Sequence, residues 1–142
     1  MSREILLTGF SHYGIYYINP SMEIVQKLNG IVFNGFKVHG LVLPVSINKA
    51  PKILKDKLRI LKPDIVIGLG LAPRARNIII ELASANIAHF PDYKDIDGET
   101  AWLKLIGSNR IEVLSTRLPI FKIMESCCRE KGFKISVGLS IG

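Results

Sequence analysis

The stretch ILKDKLRILKPDIVIGLG, residues 53–70, changes its hydrophobic period halfway along. In its first half Ile53, Leu54, Leu58 and Leu61 form one apolar stripe, while Lys52, Lys55, Lys57 and Arg59 lie mostly on the wet side of a helix. Pro51 falls in the first turn, and Asn48 is the expected cap. Lys62-Pro63-Asp64 breaks the helix, because the residue before a proline is driven out of the α region. Ile65-Val66-Ile67-Gly68-Leu69-Gly70 then reads as a short, continuously apolar strand of the fully buried kind. A helix feeding such a strand is half of a βαβ unit.

The flanking sequence supplies its counterparts. Upstream, Glu4 to Thr8 reads as a strand ended by Gly9, and Asn19-Pro20 opens a helix with Ile24, Val25 and Leu28 on one face and Asn29-Gly30 at its end. Lys37 to Leu43 is the next strand, with Val38, Gly40 and Val42 on one side and His39, Leu41 and Leu43 on the other. Downstream, APRAR (residues 72–76) turns the chain, and Asn77 to Ala88 reads as one strand with Glu81 set in it. Asp92 to Asn109 is polar and lacks period, so a long loop with at most short strands is expected. Pro119 opens a third helix with Ile120, Ile123, Met124 and Cys127 inward. Lys134 to Leu139 is a final strand, and Ser140-Ile141-Gly142 is the turn that leaves it. Repeats, low-complexity tracts and linkers are absent from the sequence, so the expectation is a single α/β domain over residues 1–142 with a mostly parallel, covered sheet.

Composition narrows the function classes. Of 142 residues, 48% are hydrophobic and 22% charged, which suits a folded domain and excludes a disordered one. The net charge of +7 is scattered and forms no basic stripe with interleaved aromatics, so no nucleic-acid partner is expected. No apolar run reaches the length of a membrane span. Met1-Ser2-Arg3-Glu4 runs straight into Ile5-Leu6-Leu7 without the pattern of a secretory leader, and the two cysteines are adjacent, at Cys127-Cys128. These features lead to the expectation of a soluble cytoplasmic protein with no disulfide framework and no membrane partner.

Taken alone, the chemistry-bearing residues are few. GLGLAPRA, residues 68–75, has two glycines after a strand but lacks the third glycine and the following helix of a phosphate-binding loop. His12, His39 and His89 are dispersed without metal-ligand spacing, so no metal or cofactor is expected. Cys127 falls on the inward stripe of the third helix, where a small apolar residue is wanted; a reactive thiol would need a base or a helix N-terminus beside it. Glu81 follows Ile78-Ile79-Ile80 in an apolar strand. A carboxylate there either pairs, accepts hydrogen bonds or points to the wet face, since an isolated buried charge is too costly.

Several fragments, taken in order, resemble pyroglutamyl peptidase I, also called pyrrolidone carboxyl peptidase. LLTGFSHYGIYYINPS (residues 6–21) resembles that family's TGFxPFGxxxxNPS/T signature, and HGLVLPVSINKA (residues 39–50) its second strand and following loop. LKPDIVIGLGLAPRARNIIIELASAN (residues 61–86) is similar to its KPDxxxxxGLAxGRxxIxxERxAxN block, and AHFPD and STRLPIFKIM follow in the right order. The resemblance implies a three-layer α/β/α sandwich with a mostly parallel twisted sheet (phosphorylase/hydrolase-like), the C-terminal part missing. It also implies a cysteine peptidase that removes N-terminal pyroglutamate from peptides, without a cofactor, often as a homo-oligomer. In that family a Cys attacks, a His takes its proton and a Glu orients the His. By the resemblance Glu81 is the catalytic Glu, Phe10 and Tyr13 line the lactam pocket, with Tyr13 in place of the usual Phe, and Asn19 caps the first helix and braces the pocket loop. Two departures stand out: Arg74-Ala75-Arg76 replaces the usual Gly-Arg-Ser, and His89 stands where an Arg is usual, as a substitute donor or as a plain surface His.

Aligned without gaps, Ser140-Ile141-Gly142 falls on SAG of the family's SNSAGxxxCN, so its nucleophile would come four residues later and its His further on. Cys127 and Cys128 lie a strand too early to replace it. The expectation is therefore a chain truncated within the family fold and inactive by itself. The alternative is a shortened homologue that serves as a non-catalytic binding or assembly module.

Overall fold

A computed structural model describes residues 3–140, and the turn expected at Ser140-Ile141-Gly142 therefore extends beyond the described residues. The fold is of the α/β class, with nine strands and three helices among the described residues. The chain divides into two compact units, Met1–Leu71 with Asp92–Thr100, and Ala72–Pro91 with Ala101–Gly142.

In the first unit β1 (Arg3–Phe10) is flanked on both sides by parallel strands, β3 (Phe36–Leu43) and β4 (Ile65–Gly68). The short β2 (Val32–Phe33) adds antiparallel to β3, giving the order β2-β3-β1-β4. Asn34 and Gly35 both have positive φ, 47° and 80°, which is the conformation a tight hairpin between β2 and β3 demands. Leu6, Leu7, Val25 and Leu43 form the buried apolar centre of this unit. Helix α1 (Pro20–Leu28) supplies Val25 and approaches the sheet so closely that two glycines are required beneath it. A Cβ on Gly9 would stand 2.5 Å from the Ser21 carbonyl oxygen, and one on Gly40 would stand 2.8 Å from that of Val25.

Helix α2 (Ala50–Leu61) follows the expected pattern but begins differently. Its N-cap is Lys49, and the expected side-chain cap from Asn48 is absent. Ser46 does the work instead: its Oγ accepts from the Lys49 N–H at 2.8 Å and its carbonyl accepts from Ala50 N–H at 3.1 Å. Lys62, in the left-handed conformation, ends the helix before Pro63. Strand β4 is less buried than its apolar run suggests, with Val66 44% exposed. It lies at the edge of the four-stranded sheet and pairs only with β1 there, so alternate side chains face out.

Residues 92–100 belong to this first unit and are held by two aspartates. The Asp95 carboxylate accepts from the backbone N–H groups of Ile47, Asp97 and Glu99, each at 2.9 Å. Asp97 accepts from Ser46 Oγ and from the Lys49 ammonium. Burial opposes ionisation of Asp95, but the three N–H donors outweigh it and hold its carboxyl below the usual value. The Lys49 and Ser46 donors lower that of Asp97. Because both native values are depressed, their anchoring is fully present above the ordinary aspartate value of 3.8 and is lost as pH falls through the native ones. Amide exchange at Ile47, Asp97 and Glu99, corrected for its intrinsic pH dependence, is expected to lose protection only below that value. Protection lost already near neutral pH would refute the anchoring.

In the second unit β5 (Ile78–Ala85) runs between β8 (Val113–Ser115), antiparallel, and β9 (Ile135–Ser140), parallel. A two-stranded antiparallel ribbon joins β6 (Ile87–Phe90) to β7 (Ala101–Leu105). The single strand expected over Asn77 to Ala88 is thus two strands, broken at Asn86. That side chain donates to the carbonyls of Ile106 and Arg110, both at 3.1 Å, and accepts from Glu112 N–H at 2.8 Å, so it diverts the chain from one sheet to the other. Helix α3 (Ile120–Lys131) buries Ile120, keeps Ile123, Met124 and Cys127 half-buried, and ends at Gly132 with φ 67°.

Candidate functional site

The candidate residues fall in both units. Phe10, Tyr13 and Asn19 belong to the first, and Glu81 belongs to the second.

Phe10 closes β1, half-buried, and the chain then loops through residues 11–18 before α1. Asn19 organises that loop. It is completely buried, and its Oδ1 accepts from Ser21 N–H at 3.1 Å and from the Ser21 hydroxyl at 2.7 Å. Its Nδ2 donates to the Ser11 carbonyl at 3.1 Å, while Ser21 Oγ accepts from Phe10 N–H at 3.0 Å. One amide side chain therefore caps the helix and ties down both the end of the strand and the start of the loop. Ser11 N–H also donates to the Leu43 carbonyl at 2.9 Å, which fixes the loop to β3.

Tyr13 sits at the bend of this loop, before Gly14 with φ 55°. Tyr16 N–H donates to its carbonyl at 3.0 Å, and the Tyr16 and Tyr93 rings lie 5.3 and 5.6 Å from its ring. Burial, with the neighbouring Tyr93 and Tyr16 phenols, raises the Tyr13 hydroxyl above its usual pKa, so it stays a neutral donor at physiological pH. Burial likewise raises Tyr93. The aromatic partners of Tyr13 were not foreseen. Tyr16 belongs to the aromatic run of residues 13–17, a visible signal, but Tyr93 reaches the cluster only because the aspartates above fold residues 92–100 onto this unit.

Glu81 lies in the middle of β5 and is exposed, in the company of the exposed Ile78 and Ile79. Of the options open for a carboxylate in this strand, the structure takes the solvent-facing one. Among the described residues it has no hydrogen-bond or ion-pair partner. It borders a shallow cavity of about 200 Å³, lined also by Ala83, Ser84, Leu114, Ser115 and Thr116. In the ladder it pairs directly with Gly138 of β9, and the register slips immediately afterwards, between Glu81 and Ser84. This arrangement offers an acceptor-only carboxylate, suited to orienting a donor such as an imidazole N–H.

His89 stands in the β6–β7 ribbon, with its ring edge-on to Trp102 at 5.1 Å and Nδ1 facing Leu103 N–H at 3.4 Å. Cys127 is half-buried and Cys128 exposed on α3, both as free thiols. No cluster of metal-ligating side chains exists among the described residues, and none of the described helices is long and apolar enough to cross a membrane.

Comparison with known proteins gives a consistent result. A profile of the pyroglutamyl peptidase family matches residues 3–142. The pyrrolidone-carboxylate peptidase of Pyrococcus furiosus is 37% identical over 98% of this chain and 66% of its own. That of Thermococcus litoralis is 34% identical over 99% of this chain and 63% of its own. A solved structure of a mutant pyrrolidone carboxyl peptidase from P. furiosus superposes with a TM-score of 0.90 and 34% identity, covering 98% of this chain and 66% of that one. The chain thus spans about two thirds of the length of these relatives.

Proposed function

The chain belongs to the pyroglutamyl peptidase family, and from this premise we propose that it carries the lactam-binding loop and the orienting carboxylate of a cysteine peptidase that removes N-terminal pyroglutamate from peptides. The observation that carries the reading is Glu81, a mid-strand carboxylate with no hydrogen-bond or ion-pair partner among the described residues; the motif resemblance supports assigning it the part of the family's catalytic Glu. Phe10 and Tyr13 are the residues assigned to the lactam ring, on a loop whose shape Asn19 holds. The phenol of Tyr13 adds a neutral donor, suited to a lactam carbonyl.

In the proposed chemistry a thiolate attacks the carbonyl that joins the lactam ring to the next residue, a histidine takes the thiol proton, and Glu81 fixes the tautomer of that histidine. By the motif resemblance, the thiol and the imidazole of this chemistry are assigned to neither the cysteines nor the histidines of these 142 residues. Among the described residues of its own unit, Glu81 accepts no hydrogen bond from His89, Cys127 or Cys128. A polypeptide of these residues alone is therefore a binder of pyroglutamyl groups without turnover, since losing nucleophile and base removes nearly all of such a site's catalysis.

Two measurements test this. Titration of the chain with free pyroglutamate should shift the NMR resonances of Phe10 and Tyr13, and their indifference to the ligand would overturn the binding assignment. Incubation with a pyroglutamyl chromogenic substrate should release no chromophore above a Glu81→Gln control, and release above that control would overturn the assignment of binding without turnover.

A further inference from the structure

Gly138 has no conformational reason to be glycine. It lies inside a regular parallel strand, its φ is outside the left-handed region, and glycine weakens a strand interior unless something needs the space. Something does. Residues paired in a parallel ladder project to the same face, and the partner of Gly138 is Glu81. A Cβ at position 138 would run into Glu81 Oε2, and would stand 2.9 Å from Glu81 Cδ and 2.9 Å from Ile79 Cγ2. The carboxylate therefore lies across the bare backbone of β9. Directly beyond this pair the β5–β9 register shifts, a device that re-aims side chains beside functional sites.

We propose that Gly138 is the positioning residue for the Glu81 carboxylate, keeping it laid over β9; its catalytic meaning rests on the peptidase reading of Glu81. The two Glu81 atoms that a methyl group would meet are the far end of a flexible side chain, while the third, Cγ2 of the β-branched Ile79, yields less readily, so the strand can accept alanine mainly by displacing the carboxylate. Gly138→Ala should therefore leave the protein folded and move the carboxylate.

The test uses the 142-residue chain, isotopically labelled. The parent should show a nuclear Overhauser contact between the Glu81 γ-protons and the Gly138 α-protons. In Gly138→Ala the folded spectrum should persist, while the Glu81 side-chain carboxyl resonance shifts. A parent chain without that contact, or a carboxyl resonance unmoved in Gly138→Ala, overturns the proposal. Should Gly138→Ala unfold the chain, the same substitution in a Glu81→Ala background decides: recovery of folding supports the assignment, and continued unfolding assigns the space to Ile79 and overturns it. These readings involve no turnover, so they stand or fall separately from the substrate assays, which test the peptidase reading itself.

Discussion

Asn19→Ala is expected to lower the stability of the first unit by about 3 kcal/mol. Loss of an N-cap side chain alone costs about 1 kcal/mol. Here the same side chain also satisfies the Ser11 carbonyl and the Ser21 hydroxyl from a fully buried position. Stranding such partners adds about 1–3 kcal/mol. Asn19→Ser, a competent cap too short to reach Ser11, should recover only the capping share, about 1 kcal/mol. Urea denaturation followed by tyrosine fluorescence reads both values. A loss below about 1 kcal/mol in Asn19→Ala would mean that capping is the whole of its role, and that the loop carrying Tyr13 holds its shape without it.

Gly9→Ala should be at least as damaging, at about 3 kcal/mol, the upper part of the range for overpacking. The added methyl group would stand 2.5 Å from the carbonyl oxygen and 2.7 Å from the carbonyl carbon of Ser21, and 3.0 Å from Val25 Cγ2. The first two are backbone atoms, so no rotamer change relieves them, and α1 has to lift off β1. That lift would also pull Ser21 Oγ away from Phe10 N–H. The contrast with Gly138 lies in what each methyl group would meet: rigid backbone at position 9, the mobile end of a glutamate and one isoleucine methyl group at position 138. A midpoint for Gly9→Ala within about 1 kcal/mol of the parent would show that α1 yields more easily than close packing implies.

Features written in local sequence were the legible ones. The change of period between residues 53–61 and 65–70 shows a helix delivering a strand, and Asn19-Pro20 marks a helix start because capping involves neighbours along the chain. The Asn34-Gly35 turn is equally local, but neither it nor the short β2 was foreseen; its two positive φ angles appear only in the structure. What escaped depends on distant partners. Asn86 breaks a run of apolar residues because carbonyls from Ile106 and Arg110 come to it. Ser46 caps α2 although Asn48 stands nearer, since the aspartate-anchored segment draws it into place. At the site, the order of motifs from residue 6 to residue 124 identifies the family, and the resemblance is what singles out Glu81 as the proposed orienting carboxylate. The space above Gly138 and the approach of Tyr93 to Tyr13 exist only once strands pair and loops return.

The return of residues 92–100 to the first unit also bears on the order of events during synthesis. Two stretches of chain make up that unit, and Ala72–Pro91, which belongs to the other, is made between them. The ribosome therefore delivers β1 to β4 well before the two aspartates that tie down Ile47 and Lys49. Until Asp95 and Asp97 emerge, the nascent first unit waits with the N–H group of Ile47 and the hydroxyl of Ser46 lacking their carboxylate acceptors. Protease-resistance of stalled nascent chains should rise sharply once residue 100 has cleared the exit tunnel, not when β4 has.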